Sequence, residues 1–220
     1  MAETTQERIE RVGLIPVLRA KSAPQAHAVV RAMLAGGVAV VEVTMTVPGA
    51  VDLLRDLKRE YGEDVLLGSG TVTTPEEAQA TIDAGAEFVV SPSLHSDVIT
   101  ATKAAGKVSI PGALTPTEAI SAWRAGADYV KIFPCSAMGG ASYLKALLAP
   151  FPFLKLIPTG GVTLATASDF LRAGARALGV GSDLVNLAAV DEGRPEVITA
   201  AARSYLEVFK QEHRDAGVRT

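Results

Sequence analysis

The chain has 220 residues, long enough for one large domain with a full core, and nothing in its composition suggests a break into two. Its 21 Lys and Arg against 24 Asp and Glu leave a net charge of −3, which gives no general attraction to nucleic acid or to an anionic membrane. Any anion it binds must therefore be held at a local site. A single cysteine, Cys135, cannot form an intramolecular disulfide and fits a reducing compartment. The polar start Met-Ala-Glu-Thr-Thr-Gln-Glu-Arg lacks the apolar core of a signal peptide, and no apolar run is long enough to span a bilayer without Gly, Pro or charge interrupting it. The expectation is a soluble cytoplasmic protein.

Along the chain, Thr4 to Val12 reads as a short helix with Ile9 and Val12 on one side, set within an N-terminal segment 1–13 that covers the bottom of the remaining fold. A βα-sized unit then recurs: an apolar strand, a Gly- or Pro-marked turn, an amphipathic helix and a glycine that stops the helix. The expected strands are Leu14–Arg19, Val40–Met45, Val65–Ser69, Phe88–Ser91, Val108–Pro111, Tyr129–Phe133, Lys155–Pro158 and Ala177–Gly181. Ala35-Gly36-Gly37, Ala84-Gly85-Ala86, Ala125-Gly126-Ala127 and Ala173-Gly174-Ala175 read as helix C-caps ahead of strands. Thr74-Pro75 and Thr115-Pro116, each followed by an acid in the first turn, read as helix starts. Strands apolar on both faces and alternating with helices imply a covered parallel sheet, and eight units imply a closed (β/α)8 barrel spanning residues 1–220 as one domain. A last helix runs from Pro195 to about His213, followed by a frayed tail over 214–220.

Active sites of such barrels lie at the carboxyl ends of the strands. The strand interiors carry three ionisable groups, Arg19, Glu42 and Lys131. Lys131 shares a face with Tyr129 and Phe133, and an amine walled by aromatic rings loses hydration and favours the uncharged nucleophile that Schiff-base chemistry on a ketone requires. The alternative is a lysine at a strand end that snorkels to water. Glu42 shares a face with Thr44, where a carboxylate needs a partner: it is either a proton shuttle for the lysine or half of a structural ion pair inside the barrel. Arg19, a planar fork, suits a carboxylate ligand or pairs with Glu42 alone.

Thr159-Gly160-Gly161 after the seventh strand and Gly179-Val-Gly181-Ser182 after the eighth, leading into a short helical turn over Asp183–Leu187, have the placement of a phosphate cradle. Asp183 opposes an anion there unless it points away. Thr71, after Gly68-Ser-Gly, either donates to a substrate carboxylate or caps the turn. Pro92 and Pro111 read as rigid rim turns. His27, His95 and His213 do not group with acids at metal-ligand spacing, so neither a metal nor a cofactor is expected. His95 reads as a solvated loop residue or a pocket wall, Cys135 as a small packing residue, and Trp123 as core or subunit contact.

Leu14-Ile-Pro-Val-Leu-Arg19, Val41-Glu-Val-Thr44, Gly68-Ser-Gly-Thr-Val72, Val89-Val-Ser-Pro92, Ile110-Pro-Gly112, Val130-Lys-Ile-Phe-Pro134, Pro158-Thr-Gly-Gly161 and Gly179-Val-Gly-Ser182 together resemble the 2-keto-3-deoxy-6-phosphogluconate (KDPG) aldolases, also called 4-hydroxy-2-oxoglutarate (KHG) aldolases. The likeness runs from about Leu14 to Leu184. It implies a metal-free class I aldolase on a (β/α)8 barrel, a homotrimer, cleaving a phosphorylated 2-keto-3-deoxy sugar acid to pyruvate and glyceraldehyde 3-phosphate. By resemblance Lys131 is the Schiff-base lysine, Glu42 the general acid/base, Thr71 a pyruvate carboxylate contact and Phe133 a pocket wall. Thr159, Gly160, Gly161 and Ser182 match the phosphate end, with Pro92 and Gly181 also counted among substrate-binding positions. Some members carry an arginine shortly after the strand-two glutamate, where this chain has Met45-Thr46-Val47; Arg19 is expected to supply that cation. The galactonate-derived substrate, a phosphosugar isomerase or epimerase on the same barrel, and a non-catalytic sensor of phosphosugar acids are the competing expectations.

Overall fold

The apolar runs do pair as parallel strands. The computed structural model describes residues 3–217, with side chains described as far as 214. Its strands are β1 (Leu14–Leu18), β2 (Val40–Thr44), β3 (Leu66–Gly70), β4 (Phe88–Val90), β5 (Val108–Ile110), β6 (Gly112–Ala113), β7 (Val130–Ile132), β8 (Leu156–Pro158) and β9 (Leu178–Val180). The ends lie within one or two residues of the sequence expectation, except that the run Val108–Pro111 becomes two short strands parted by Pro111. A proline has no N–H to give to a ladder, so the regular pairing stops there.

Six strands form a curled parallel sheet in the order β5-β4-β3-β2-β1-β9, and three more form a second sheet, β6-β7-β8. Backbone hydrogen bonds cross both seams. The Ser109 carbonyl accepts from Asp128 N–H at 3.0 Å and the Pro111 carbonyl from Lys131 N–H at 2.9 Å. On the other side Thr159 and Gly179 make an isolated parallel bridge.

The connecting helices are α2 (Ala23–Ala35), α3 (Ala50–Tyr61), α4 (Pro75–Asp83), α5 (Ser96–Ala104), α6 (Pro116–Arg124), α7 (Ala141–Leu148), α8 (Leu164–Arg172), the short α9 (Leu187–Asp191) and α10 (Glu196–Gly217). The expected starts are present: the Thr74 hydroxyl accepts from Glu77 N–H, and Thr115 with Glu118 completes a reciprocal capping box. The expected stops are present too. Gly85 takes φ 108° just past α4, and Ala86 N–H reaches back to the Thr81 carbonyl at 3.0 Å, which closes the orphan end of the helix. The expected helical turn over Asp183–Leu187 is shifted toward the amino end, as a single turn over 181–185. Leu184 and Val185 N–H both turn back onto the Gly181 carbonyl, and Asn186, accepting from Ala189 N–H, caps α9, which starts at Leu187.

The amino-terminal helix α1 (Thr5–Val12) buries Ile9 and Val12. Its polar side grips residues that immediately precede strands. Tyr129 hydroxyl and Lys155 Nζ both donate to Glu10 Oε1, at 2.8 and 2.9 Å, while Gln6 donates to Asp128 at 2.8 Å. α1 therefore closes the amino end of the sheet, which leaves the carboxyl end for a site. At the other terminus α10 has helical backbone to Gly217; of the tail expected over 214–220, residues 218–220 lie outside the described residues. Among the described residues no helix is long and apolar enough to cross a membrane.

Candidate active site

Strand parity decides which side chains face inward. Ser69 on β3 accepts from the Thr81 hydroxyl of α4 at 2.9 Å, so it faces the helices and its neighbours Gly68 and Gly70 face the interior. Gly68 is the Cα partner of Glu42, and Glu42 is the partner of Val17 on β1. Glu42 therefore points inward, and it is 2% exposed. Lys131 on β7, between Gly112 and Ile157 in register, is 4% exposed. Its Nζ lies 5.2 Å from the centre of the Phe133 ring.

The two charges feel each other. Burial pushes the Glu42 carboxyl above its ordinary pKa, and Lys131 and then Arg19 work in the opposite direction without overcoming it. Glu42 Oε1 is buried with no hydrogen-bond partner. An oxygen in that state is costly unless protonated or engaged by something that enters the site.

A cavity of about 590 Å³ is lined by Val17, the β1 register partner of Glu42, and by Phe133, the ring beside the Lys131 amine, though not by Glu42 or Lys131 themselves. Of the residues expected from the sequence, Arg19, Phe133, Thr159, Gly160, Gly161, Gly181 and Ser182 all line it. Arg19, exposed just past the end of β1, is the one cationic side chain in that lining. The Thr44 hydroxyl donates to the Leu18 carbonyl at 3.0 Å, which spends its only proton, so the Thr46 hydroxyl donates to Thr44 across 2.7 Å. The β2 end thus fastens the peptide group that joins Leu18 to Arg19.

The glycine turn is held from behind. Thr159 and Gly160 carbonyls accept from Cys135 and Ser136 N–H at 2.9 and 3.1 Å, in the 3-10 turn Cys135–Met138 that follows β7. Gly160 and Gly161 take φ 82° and 78°, a left-handed pair that side-chain-bearing residues resist. A Cβ at Gly181 would meet no atom within 4 Å, so that backbone faces open space. Asp183 borders the cavity, but its Oδ2 accepts from Leu164 N–H at 3.0 Å and from the Tyr205 hydroxyl. The feared repulsion of an anion is met by turning that oxygen toward α8 and α10.

Four expected residues are outside the lining of this cavity: Glu42 and Lys131, buried in the strand interior, and Thr71 and Pro92, which stand apart at strand ends. Thr71 follows β3 with φ 61°, the one non-glycine residue with a positive φ among the described residues, and such strain concentrates at functional sites. The Pro92 carbonyl lies against Gly112, 2.4 Å from where a Cβ would stand. Tyr129 does not wall in Lys131 as expected. Its hydroxyl is drawn down to Glu10 and its ring carries Lys155, 5.3 Å from the ring centre. The lysine thus has one aromatic wall, Phe133.

The histidines are engaged elsewhere: His27 with Glu60 at 3.0 Å, His95 with Ser93 at 2.9 Å at the start of α5, and His213 against the Phe209 ring. Cys135 is buried, and desolvation pushes its thiol up to about 11. Trp123 packs on Phe153, ring centres 6.0 Å apart. Sequence reading missed the apolar wall Val17, Val162, Val185 and Leu187, which carries no signal beyond ordinary core composition.

Fold and cavity together define a parallel α/β enzyme whose site opens at the carboxyl ends of its strands. A sequence model of the family described as "Aldolase: KDPG and KHG aldolase" matches residues 5–201. The chain is 34% identical over 206 residues to the 2-dehydro-3-deoxy-phosphogluconate aldolase of Treponema pallidum (strain Nichols), covering 93% of this chain and 97% of that protein. It is equally 34% identical over 201 residues to the 2-dehydro-3-deoxy-6-phosphogalactonate aldolase of Escherichia coli (strain K12), 91% and 98% covered. Among solved structures, the KDPG aldolase of Legionella pneumophila with pyruvate captured as a covalent carbinolamine superimposes with a TM-score of 0.84 at 30% identity, covering 91% of this chain and 97% of that one. The chain belongs to the KDPG/KHG aldolase family and is an aldolase.

Proposed function

We propose that this chain cleaves 2-keto-3-deoxy-6-phosphogluconate to pyruvate and glyceraldehyde 3-phosphate through a Schiff base on Lys131, with Glu42 as the proton shuttle. The observation that carries the reading is the pairing of an inward-facing buried lysine with an inward-facing buried carboxyl that it influences electrostatically. The Lys131 amine attacks the C2 ketone to give a carbinolamine. Glu42 supplies the proton with which water leaves, and an iminium results. Glu42 then takes the C4 hydroxyl proton as the C3–C4 bond breaks. The bonding pair moves into the iminium to form an enamine, and the aldehyde departs. Protonation at C3 and hydrolysis return pyruvate and the free amine.

In this reading Arg19 and Thr71 hold the keto-acid carboxylate, Pro92 and Phe133 bound the reacting end, and Thr159, Gly160, Gly161, Gly181 and Ser182 hold the phosphate. The cavity lining holds both that cation and the glycine backbone. The two sheets act as one closed (β/α)8 barrel in a single domain, a reading supported by the hydrogen bonds over both seams. A homotrimeric, cytoplasmic, metal-free enzyme completes the proposal.

Incubation with pyruvate and sodium borohydride tests it. The expected result is a permanent mass addition that maps to Lys131 and is abolished by Lys131→Met. No trapped mass ends the covalent mechanism. Coupled detection of pyruvate from gluconate-derived, galactonate-derived and unphosphorylated 4-hydroxy-2-oxoglutarate substrates then ranks the substrate class.

A further inference from the structure

The inward face of β3 is bare over its last three residues, because Gly68 and Gly70 both lack a side chain where neighbours on either side have one. The two gaps are filled by different strands. A Cβ at Gly68 would lie 2.2 Å from the Phe88 ring of β4, so an aromatic ring occupies the first gap. A Cβ at Gly70 would lie 1.9 Å from Glu42 Oε1 and 2.5 Å from its Cδ, so the Glu42 carboxyl occupies the second. Gly70 is the Cα partner of Thr44, two residues beyond Glu42, which means that the glutamate leans along the strand direction and across onto β3.

We propose that Gly70 is a positioning residue for the Glu42 carboxyl, its missing Cβ creating the space in which the proton shuttle stands. This rests on the reading of Glu42 given above. Gly70 is not among the residues with positive φ, so the position does not need glycine for its backbone conformation. The requirement is space alone. The atoms that a new Cβ would meet are the far end of a long side chain, which can swing aside, so the strand tolerates alanine while the carboxyl moves. The direction left open is back over β2 toward β1, where Arg19 projects. The same Oε1 has no hydrogen-bond partner, so packing against β3 rather than a hydrogen bond fixes where it stands.

The test is a double-mutant cycle of Gly70→Ala with Glu42→Gln, read by kcat, KM, the pH profile of kcat and melting temperature. A carboxyl misplaced by about an ångström loses on the order of 100-fold in kcat. That loss is expected for Gly70→Ala with KM little changed, and with the acid limb of the profile moved to lower pH as the carboxyl nears Arg19. Gly68→Ala, whose Cβ meets a rigid ring, is expected to cost more in melting temperature than Gly70→Ala. In the Glu42→Gln background the added Gly70→Ala change should have almost no further effect, since the group it displaces no longer passes protons. Two losses that multiply, or a Gly70→Ala enzyme with wild-type kcat and pH profile, overturn the proposal. A Glu42→Gln enzyme of undiminished kcat would instead overturn the reading of Glu42 itself, and the borohydride adduct on Lys131 is judged separately from both.

Discussion

The Tyr205 hydroxyl on α10 donates to Asp183 Oδ2 at the edge of the cavity, and burial followed by that carboxylate raises the phenol's pKa above its ordinary value. Twenty-two residues separate the partners, so the last helix of the chain sets the orientation of an acid beside the glycine turn. Leu164 N–H, at the start of α8, holds the same oxygen. The arrangement removes a negative charge from the place where a phosphate is proposed to bind. Tyr205→Phe takes one of the two donors away and lets the carboxylate swing toward the ligand. The expected outcome is a penalty of about 1 kcal/mol against the phosphorylated substrate, a roughly fivefold rise in KM that shrinks as salt is added. Steady-state kinetics at two ionic strengths check it, and a KM that does not move would show that Asp183 stays out of reach.

Arg19 supplies the positive charge in the lining of the same cavity. A charge-assisted contact to a carboxylate contributes about 1.5–3 kcal/mol, so Arg19→Ala should raise KM for the keto acid by about 10- to 100-fold. It should act on the proton shuttle as well. Arg19 is one of two cations that offset the effect of burial on Glu42, so its loss should raise the Glu42 pKa further and move the acid limb of kcat to higher pH. Arg19→Lys should restore the pH limb more fully than the KM, because lysine supplies the charge without the planar fork. Unchanged dependence of turnover on pyruvate and substrate in Arg19→Ala would remove Arg19 from carboxylate binding.

How much of this was readable from the chain alone depends on the range of each interaction. Lys131 and Glu42 stood out because a charge inside an apolar β-branched run has no local explanation. Helix caps were readable because Thr-Pro and Ala-Gly signals act within one turn. The break at Pro111 was visible as a residue without an N–H, yet its consequence depends on which strand lies alongside. The Asp183–Leu187 turn was misplaced because Ser182 and Asp183 are ordinary helix-starting types, while Asn186 makes the actual cap. Tyr129 was read as a wall of the Lys131 amine, which fails for the same kind of reason. Parity places it inward, but Glu10 and Lys155, remote in sequence, draw its hydroxyl to the base. Gly70 looked like part of a turn, because the glutamate that needs its space lies on another strand.

A carboxyl forced above its ordinary pKa also leaves a mark on stability. The folded protein holds the Glu42 proton more tightly than the unfolded chain does, since burial outweighs Lys131 and Arg19. Between the two pKa values the native state binds more protons, so this group's contribution worsens as pH rises above the ordinary carboxylate range of about 4.3. Glu42→Gln cannot ionise and escapes that penalty. It should melt above the wild type at pH 7 to 8, match it near pH 4, and lose about 100-fold or more in kcat. Melting curves across that range decide the matter; a variant less stable than wild type at pH 8 would show that the attraction of Lys131 and Arg19 is worth more than burial costs.

Glu10 gives the opposite sign at the opposite end of the sheet. Burial would raise its pKa, but hydrogen bonds from Lys155 and Tyr129 outweigh it and hold the carboxyl below its ordinary value. The unfolded chain then binds more protons than the native state between the two pKa values. Stability from this latch is therefore complete above the ordinary carboxylate range and is lost as pH falls through the depressed value. Glu10→Ala leaves the Tyr129 hydroxyl and the Lys155 amine to find new partners. A cost of about 1 kcal/mol, or about 2–4 °C in melting temperature for a chain of this size, is expected at pH 7, fading toward pH 3. Because α1 grips residues that precede β7 and β8, kcat should hold while the protein remains folded. A deficit of the same size at both pH values would mean that α1 is held by the burial of Ile9 and Val12 alone.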